Sequence, residues 1–451
     1  MAAVATAPGR GAIAIVRASG PGVRSFFGRV IRRRAASRAR VATTVRILDG
    51  AGATIDDGLA IFFPAPHSYT GEDVLELHVH GSPAVAAGTL GALLAAGARL
   101  AGPGEFTKRA FLAGKVDLAE AEAIGALVAS EHRSAARAAA AGLAGGLTRE
   151  VENAHAAIAE LLDALAASLD FPDEVEAPAA RDLEARVNAL GARLHALRDD
   201  WERGRVVRDG VAVAIVGAPN AGKSSLFNAL LAQDRALVSE IAGTTRDTLE
   251  ETAMLPGGIA ARLIDTAGMR TVDNGESGAQ LEMAGIARSH AALTEASVAL
   301  VVVDASAPLS PEALNVLERT RDTTRVILFN KADLGRAAFD ERSPSESEAL
   351  LGSALDPSSV ARIARALAET ALAGDTPDLT RPQLASARQA DAALAAERSL
   401  AFAAETLARG DPADLIVTDL MNAAAALDDL LGRNATEAML ERIFATFCIG
   451  K

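Results

Sequence analysis

The sequence predicts a multidomain chain of mixed α/β and all-α architecture, with a doubly wound α/β domain inserted into a helical one. Three observations carry this. The 451 residues are enough for about three domains of ~100–200 residues each. A short buried-strand pattern at 211–216 (VAVAIV) runs into a glycine-rich loop and then into a helix-like segment at 225–231. Ala/Leu-rich helical patterns occupy 118–169 and 182–201, with a turn near Phe171-Pro172-Asp173, and resume at 388–407 and 414–447. The α/β segment therefore interrupts a helical domain. The expected layout is an N-terminal α+β domain at 1–116, a first helical part at 117–209, the insertion at 210–374 and a second helical part at 375–451. Segments 204–210 and 375–382 (DTPDLTRP) are the expected hinges.

Half of the residues are apolar and 3% aromatic, which excludes disorder as the main theme. Cys448 is the single cysteine, so an internal disulfide and a multi-cysteine metal site are excluded, and no apolar run reaches the ~18 residues of a membrane span. The chain reads as a cytoplasmic protein without a membrane partner. Its net charge of −13 argues against broad nonspecific binding to nucleic acid. Six arginines between Arg29 and Arg40 form a local patch without an acid, either a solvated helix face or an RNA contact. The segment at 11–17 (GAIAIVR) alternates like a strand, so the acid-poor amino terminus reads as mature fold and not as a transit peptide.

Only five of the 45 basic residues are lysine: Lys108, Lys115, Lys223, Lys331 and Lys451. Lysine offers a compact charge where arginine offers a broad fork, so a chain this poor in lysine marks its lysines as candidate sites.

Two of them fall in motifs. Gly217-Ala-Pro-Asn-Ala-Gly222-Lys223-Ser224 fits G-x-x-x-x-G-K-[ST] in a strand–turn–helix setting. Glycines let backbone N–H groups close around phosphate, Lys223 reaches the β/γ-phosphates, and the Ser224 hydroxyl can ligate Mg²⁺. Downstream, a strand at 261–264 leads into Asp265-Thr266-Ala267-Gly268, and one at 325–329 leads into Asn330-Lys331-Ala332-Asp333. The Asp333 carboxylate can accept both the N1–H and the 2-amino group of guanine, a pairing adenine lacks, while the Lys331 stem covers the base. Ser353-Ala354-Leu355 would complete the base pocket, and 298–303 reads as a further buried strand. Order and setting are those of a GTP-binding domain. A glutamine that positions water often follows the Asp-Thr-Ala-Gly motif, but here the residue is Met269, which cannot do so. Water activation must come from elsewhere, and Asn220, the 239–247 segment and Glu282 are the candidates.

These residues, with ATAPGRGAIAIVRASG near the start, GEDVLELHVHGS, PGEFTKRAFLAGKVDLAEAEAI and the tail Phe447-Cys448-Ile449-Gly450-Lys451, resemble the tRNA modification GTPase family MnmE (TrmE) over essentially the whole chain. The resemblance implies an N-terminal folate-binding and dimerisation domain, a central helical domain and an inserted Ras-like P-loop GTPase domain. It implies K⁺ at Asn220, Ser239, Ile241 and Thr244, Mg²⁺ at Ser224 and Thr245, and Glu282 as the catalytic carboxylate. The expected GTP site comprises Asn220, Ala221, Gly222, Lys223, Ser224 and Ser225, then Ser239, Glu240, Ile241, Ala242, Gly243, Thr244 and Thr245. Asp265, Thr266, Ala267, Gly268, Asn330, Lys331, Asp333, Ser353, Ala354 and Leu355 complete it.

For folate the resemblance implies Arg17, Glu76, Lys115 and Lys451. Glu76, His78 and His80 share one strand face, a spacing that suits pocket or packing residues better than a metal. The family works as a homodimer with an FAD-dependent, MnmG-like partner. It takes a one-carbon unit from a tetrahydrofolate (5-formyl- or methylene-tetrahydrofolate) and places an aminomethyl-type group on C5 of the wobble uridine (position 34) of tRNA. A ribosome-assembly GTPase or a regulatory switch would share the phosphate and guanine motifs but not the folate residues. One departure is Gln389 in LASARQ, where the resemblance leads to a histidine after the arginine. The CIGK tail is a poor prenylation signal because Gly450 is not aliphatic.

Overall fold

The computed structural model describes residues 1–32, 38–130, 132–235, 250–265, 293–335, 349–372 and 382–451. Two compact units result, one of 1–129, 142–197 and 384–451, the other of 130–141 and 198–383.

The first unit opens with β1 (Ala2–Val4), β2 (Ile13–Ser19), β3 (Ile31–Arg32), β4 (Thr43–Leu48), β5 (Thr54–Phe63) and β6 (Val74–His80). They form an antiparallel sheet of order β1-β2-β6-β5-β4-β3. Successive side chains of a strand point to opposite faces. Val16 and Ala18 of β2 and Leu75, Leu77 and Val79 of β6 are therefore buried together with Leu93 of α1 (Pro83–Ala95). The opposite face carries Ile13, Ile15 and Arg17 of β2, Glu76 and His78 of β6, and Leu59 and Ile61 of β5.

After α2 (Glu105–Leu112), the helical pattern of 118–169 is three helices: α3 (Leu118–Ala129), α4 (Arg133–Leu143), most of which falls in the second unit, and α5 (Gly146–Asp170). Gly145 takes a left-handed φ of 66° immediately before α5. Leu147, Val151, Ala154, Ile158, Leu161 and Leu165 recur every three or four residues and bury one stripe of α5. Each fully buried leucine contributes about 1.5–3 kcal/mol. The helix expected at 182–201 is longer than the pattern suggested, since α6 (Ala180–Asp209) runs through Gly204. Of the hinge expected at 204–210, only Gly210 leaves the helix, at φ 77°, where an added Cβ would lie 2.6 Å from the Ala260 carbonyl oxygen. The second expected hinge, 375–382, lies outside the described residues except for Pro382.

In the second unit β7 (Val211–Gly217), α7 (Lys223–Arg235), β8 (Glu250–Leu255), β9 (Ile259–Asp265), β10 (Val298–Asp304), α8 (Pro311–Arg319), β11 (Arg325–Asn330), β12 (Ala349–Leu351) and α9 (Pro357–Ala371) build the α/β domain. The sheet order is β12-β11-β10-β7-β9-β8, and every neighbouring pair is parallel except β8 with β9. Both faces are covered, so the strands read as near-continuous apolar runs. Val213, Ile215, Leu300 and Leu328 pack with Leu226 of α7 and Ile363 of α9, while Ala214, Val216, Val301 and Phe329 pack with Leu317 of α8. With β9 on one side of β7 and β10 on the other, the carboxyl end of β7 is the topological switch point where ligands of such sheets bind.

The first unit is completed by α10 (Ala387–Arg409), α11 (Ala413–Leu431) and α12 (Glu437–Phe444). Small residues such as Ala393, Ala396 and Ala403 of α10 and Ala423 of α11 are buried where these helices pack. The pattern at 414–447 breaks at Gly432, whose φ is 75° and whose added Cβ would lie 2.5 Å from the Leu118 side chain. The Thr436 hydroxyl then starts α12 by accepting from the Met439 N–H at 3.3 Å.

Candidate functional site

The loop at the carboxyl end of β7 needs its glycines for two separate reasons. A Cβ on Gly217 would lie 2.2 Å from the Val302 carbonyl oxygen, so the loop leaves the sheet where β10 approaches too closely for a side chain. Gly222 has a φ of 96°, and its Cβ would lie 2.2 Å from Asn330 Nδ2. Asn220 sits in the left-handed region at φ 59°, a conformation asparagine tolerates better than most residues. The Lys223 ammonium donates to the Gly217 and Ala218 carbonyls at 2.9 and 2.8 Å, curling over the loop that would hold phosphate. Ser224 and Ser225 follow in the first turn of α7. Asp265 ends β9 in register with Ile215 of β7, beside this loop.

The Asn330-Lys331-Ala332-Asp333 turn is built onto the same loop. Asn330 is 2% exposed; its Nδ2 donates to the Ala221 carbonyl at 2.8 Å and its Oδ1 accepts from the Ala354 N–H at 2.9 Å. The Ala332 N–H donates to the Gly352 carbonyl at 3.1 Å, which sets Asp333 on an exposed turn next to Ser353, Ala354 and Leu355. The Ser353 hydroxyl accepts from the Leu355 N–H at 3.1 Å. The Lys331 ammonium meets Asp304 Oδ2 at 2.6 Å. Asp304 was missed in the sequence because the strand reading stopped at Val303, one residue short of the end of β10. Thus Asn220 to Ser225, Asp265, Asn330, Lys331, Asp333 and Ser353 to Leu355 gather at one edge of the sheet. Ser239, Glu240, Ile241, Ala242, Gly243, Thr244, Thr245, Thr266, Ala267, Gly268, Met269 and Glu282 lie outside the described residues.

A second constellation lies in the first unit. Arg17 donates from Nε to Glu76 Oε1 at 2.8 Å, and the two side chains are 21% and 15% exposed. Its guanidinium also lies 5.6 Å from the Phe106 ring centre and 6.0 Å from that of Tyr69, two aromatic contacts the sequence did not disclose. An added Cβ on Gly71 would lie 3.6 Å from Lys115 Cε, which places Lys115 beside the Tyr69 loop. The tail docks here as well: the Phe106 N–H donates to the Lys451 carbonyl at 3.1 Å, and Ile449 bridges Pro103. Phe447 packs so closely on Gly125 that a Cβ there would meet the ring at 2.8 Å. Cys448 is exposed and lines a cavity of about 450 Å³ with Glu122, Ser386, Arg442 and Lys451. Gln389, the departure from the family pattern, is buried and donates to Glu122 Oε2 at 2.6 Å.

His80 turns to Asp56 Oδ1 at 2.8 Å, while His78 faces Glu76 at 3.4 Å. Among the described residues no group of three or more His, Cys, Asp or Glu is placed to hold a metal ion, and no helix is long and apolar enough to cross a membrane.

A doubly wound sheet with a phosphate loop at its switch point and a guanine-type turn hydrogen-bonded to that loop defines a Ras-like P-loop GTPase domain. The model of the GTP-binding protein TrmE N-terminus matches residues 1–115, and that of the MnmE helical domain matches 118–448. The chain belongs to the tRNA modification GTPase MnmE family. The MnmE protein of Moorella thermoacetica is 40% identical over 100% of this chain and 99% of its own. That of Chloroflexus aurantiacus is 41% identical with the same coverage. A solved structure of Aquifex aeolicus Era bound to GDP and AlF₄⁻ is 23% identical, covers 42% of this chain and 66% of its own, and superposes with a TM-score of 0.26.

Proposed function

We propose that this chain is a K⁺-dependent GTP hydrolase that acts in the C5 modification of the wobble uridine of tRNA. In this reading it works in the cytoplasm as a homodimer with an FAD-dependent, MnmG-like partner, and uses a one-carbon unit from a tetrahydrofolate. The observation that carries the reading is the joining of two sites in one chain. A phosphate loop tied to a guanine turn occupies one unit; in the other, the Phe106 N–H holds the tail at Lys451 while the Phe106 ring lies 5.6 Å from the Arg17 guanidinium.

In the first site, Lys223 exchanges the Gly217 and Ala218 carbonyls for the β/γ-phosphate oxygens when nucleotide binds, and Asp333 reads the guanine edge. Ser224 and Asn220 offer oxygen donors from one loop, which suits the hard cations Mg²⁺ and K⁺, with Thr245, Ser239, Ile241 and Thr244 assigned as their other ligands. When bound, K⁺ supplies a fixed positive charge at the phosphates, the part an arginine plays in other GTPases. Glu282 is assigned the orientation of water.

In the second site, Arg17, Glu76, Lys115 and Lys451 are assigned to folate, whose carboxylates and ring carbonyl suit the three cationic side chains and whose ring N–H groups suit the Glu76 carboxylate. Homodimerisation is assigned to the N-terminal domain, whose outer sheet face exposes Ile13 (61%) and Leu59 (39%) beside the polar Arg17, Glu76 and His78. The domain limits 1–116, 117–209, 210–374 and 375–451 are part of the proposal.

Two measurements on the full-length protein test it. GTP hydrolysis should rise steeply when Na⁺ is replaced by K⁺, and Asn220→Ala should lose that rise; equal rates in both salts would sink K⁺ dependence alone. Titration with 5-formyl-tetrahydrofolate should show binding. Its absence would favour a ribosome-assembly or regulatory GTPase.

A further inference from the structure

We propose that Asp304 is a positioning residue for guanine-nucleotide binding, holding the Lys331 ammonium so that the lysine stem lies ready beside the phosphate loop before nucleotide arrives. This rests on the reading above, in which the turn at 330–333 binds guanine.

The placement begins with strand register. β10 and β11 run parallel, with Asp304 opposite Asn330, and the Ala305 N–H donates to the Asn330 carbonyl at 2.7 Å. The two strand ends therefore deliver Asp304 and Lys331 to the same edge. The Asp304 carboxylate is itself fixed, because Oδ1 accepts from the Ser306 N–H at 2.9 Å and from the Ser306 hydroxyl at 2.6 Å. That leaves Oδ2 for the Lys331 ammonium at 2.6 Å. Burial pushes this carboxyl up, but the bonds from Lys331 and Ser306 outweigh it and hold it below the usual aspartate range, so it carries full charge at neutral pH.

Lys331 also holds an unusual backbone conformation, φ 63°, rare for a residue with a long side chain. Its Cε lies 4.0 Å from the position a Cβ on Gly222 would take, so the stem runs alongside the phosphate loop. A lysine left free would surrender several rotatable bonds when a base packs against its stem. Tethered at its tip, it has lost them already, and this lowers the ordering cost of binding. In this reading Asp304 acts through Lys331, the side chain its Oδ2 holds, and not on the nucleotide itself. Its effect should appear in affinity and not in the chemical step.

The test uses the full-length chain and a fluorescent guanine nucleotide. Asp304→Asn keeps an Oδ1 for Ser306 and replaces the charged oxygen facing Lys331 with an NH2 group that cannot accept from the ammonium, so the tether is lost. It should weaken GDP and GTP binding by roughly three- to tenfold and raise KM by the same factor, with kcat at saturating GTP unchanged. Added to Lys331→Ala, it should weaken binding no further, because the two side chains act as one unit. Unchanged affinity, a fall in kcat at constant affinity, or losses that add in the double variant would each overturn the inference. Wild-type protein that fails to bind guanine nucleotide would overturn the functional reading and this inference together.

Discussion

Asn330 and Ala221 are joined by a 2.8 Å hydrogen bond from the Asn330 carboxamide to the Ala221 carbonyl, so the guanine turn and the phosphate loop hold each other in place. Because Asn330 also accepts from Ala354, one buried side chain ties three segments of the nucleotide site. Asn330→Ala would leave both backbone groups without these partners, at about 1–3 kcal/mol each. We expect GDP affinity to fall at least tenfold in a nucleotide titration. An unchanged titration would mean the segments hold their places without this link.

Asp333→Asn should weaken guanine nucleotides and shift preference toward xanthine nucleotides. The amide offers a donor to the carbonyl that xanthine presents, and it no longer accepts both guanine N–H groups. Competition between GDP and XDP for the variant measures this, and retained guanine preference would remove Asp333 from base reading.

Glu282→Ala should slow GTP hydrolysis by roughly 10²–10⁴ while leaving nucleotide affinity nearly unchanged, the pattern of a group that acts on the water and not on binding. Single-turnover rates together with equilibrium titration separate the two. A collapse of affinity would mark the residue as structural.

Gly450→Ala should undock the tail. Gly450 has a φ of 97°, and a Cβ there would lie 2.4 Å from the Val4 carbonyl oxygen. The Lys451 carbonyl, held by the Phe106 N–H, would be displaced with it. Calorimetry with 5-formyl-tetrahydrofolate should show weakened binding while GTP hydrolysis is spared. Full folate affinity would detach Lys451 from that site.

Glu105 should govern part of the acid stability of the first unit. Burial pushes its carboxyl up, but hydrogen bonds from Arg99, the Gly102 N–H and Arg109 outweigh that and hold it at about 2, against 4.5 ordinarily. A folded-state pKa below the unfolded one stabilises above the unfolded value, and the benefit is lost as pH falls from about 4.5 toward about 2. Glu105→Gln should therefore lower the urea midpoint at pH 7 and bring it closer to wild type at pH 3. A variant with the same deficit at both values would show that packing, not charge, is what Glu105 supplies.

The amino-acid sequence by itself determined the phosphate loop, the Asn330–Asp333 turn, the four parallel strands β7, β9, β10 and β11 of the inserted domain, though not β8 or β12, and the helical character of the flanking segments. Each rests on local chemistry: glycine conformations, period-two or helical burial, and residue types that only certain ligands require. Helix limits were less legible. The break at Gly432 depends on the Leu118 side chain packed against it, that at Gly145 on a left-handed φ of 66°, and α6 runs on through Gly204 where Arg208 and Gln383 lie against it. Only the tertiary structure decided which distant residues meet: Asn330 with Ala221, Asp304 with Lys331, the tail with Phe106, and the Tyr69 and Phe106 rings with Arg17. Those pairings follow from strand register and from the docking of separate segments, which are set by burial summed over the whole chain and leave no mark at the positions they join.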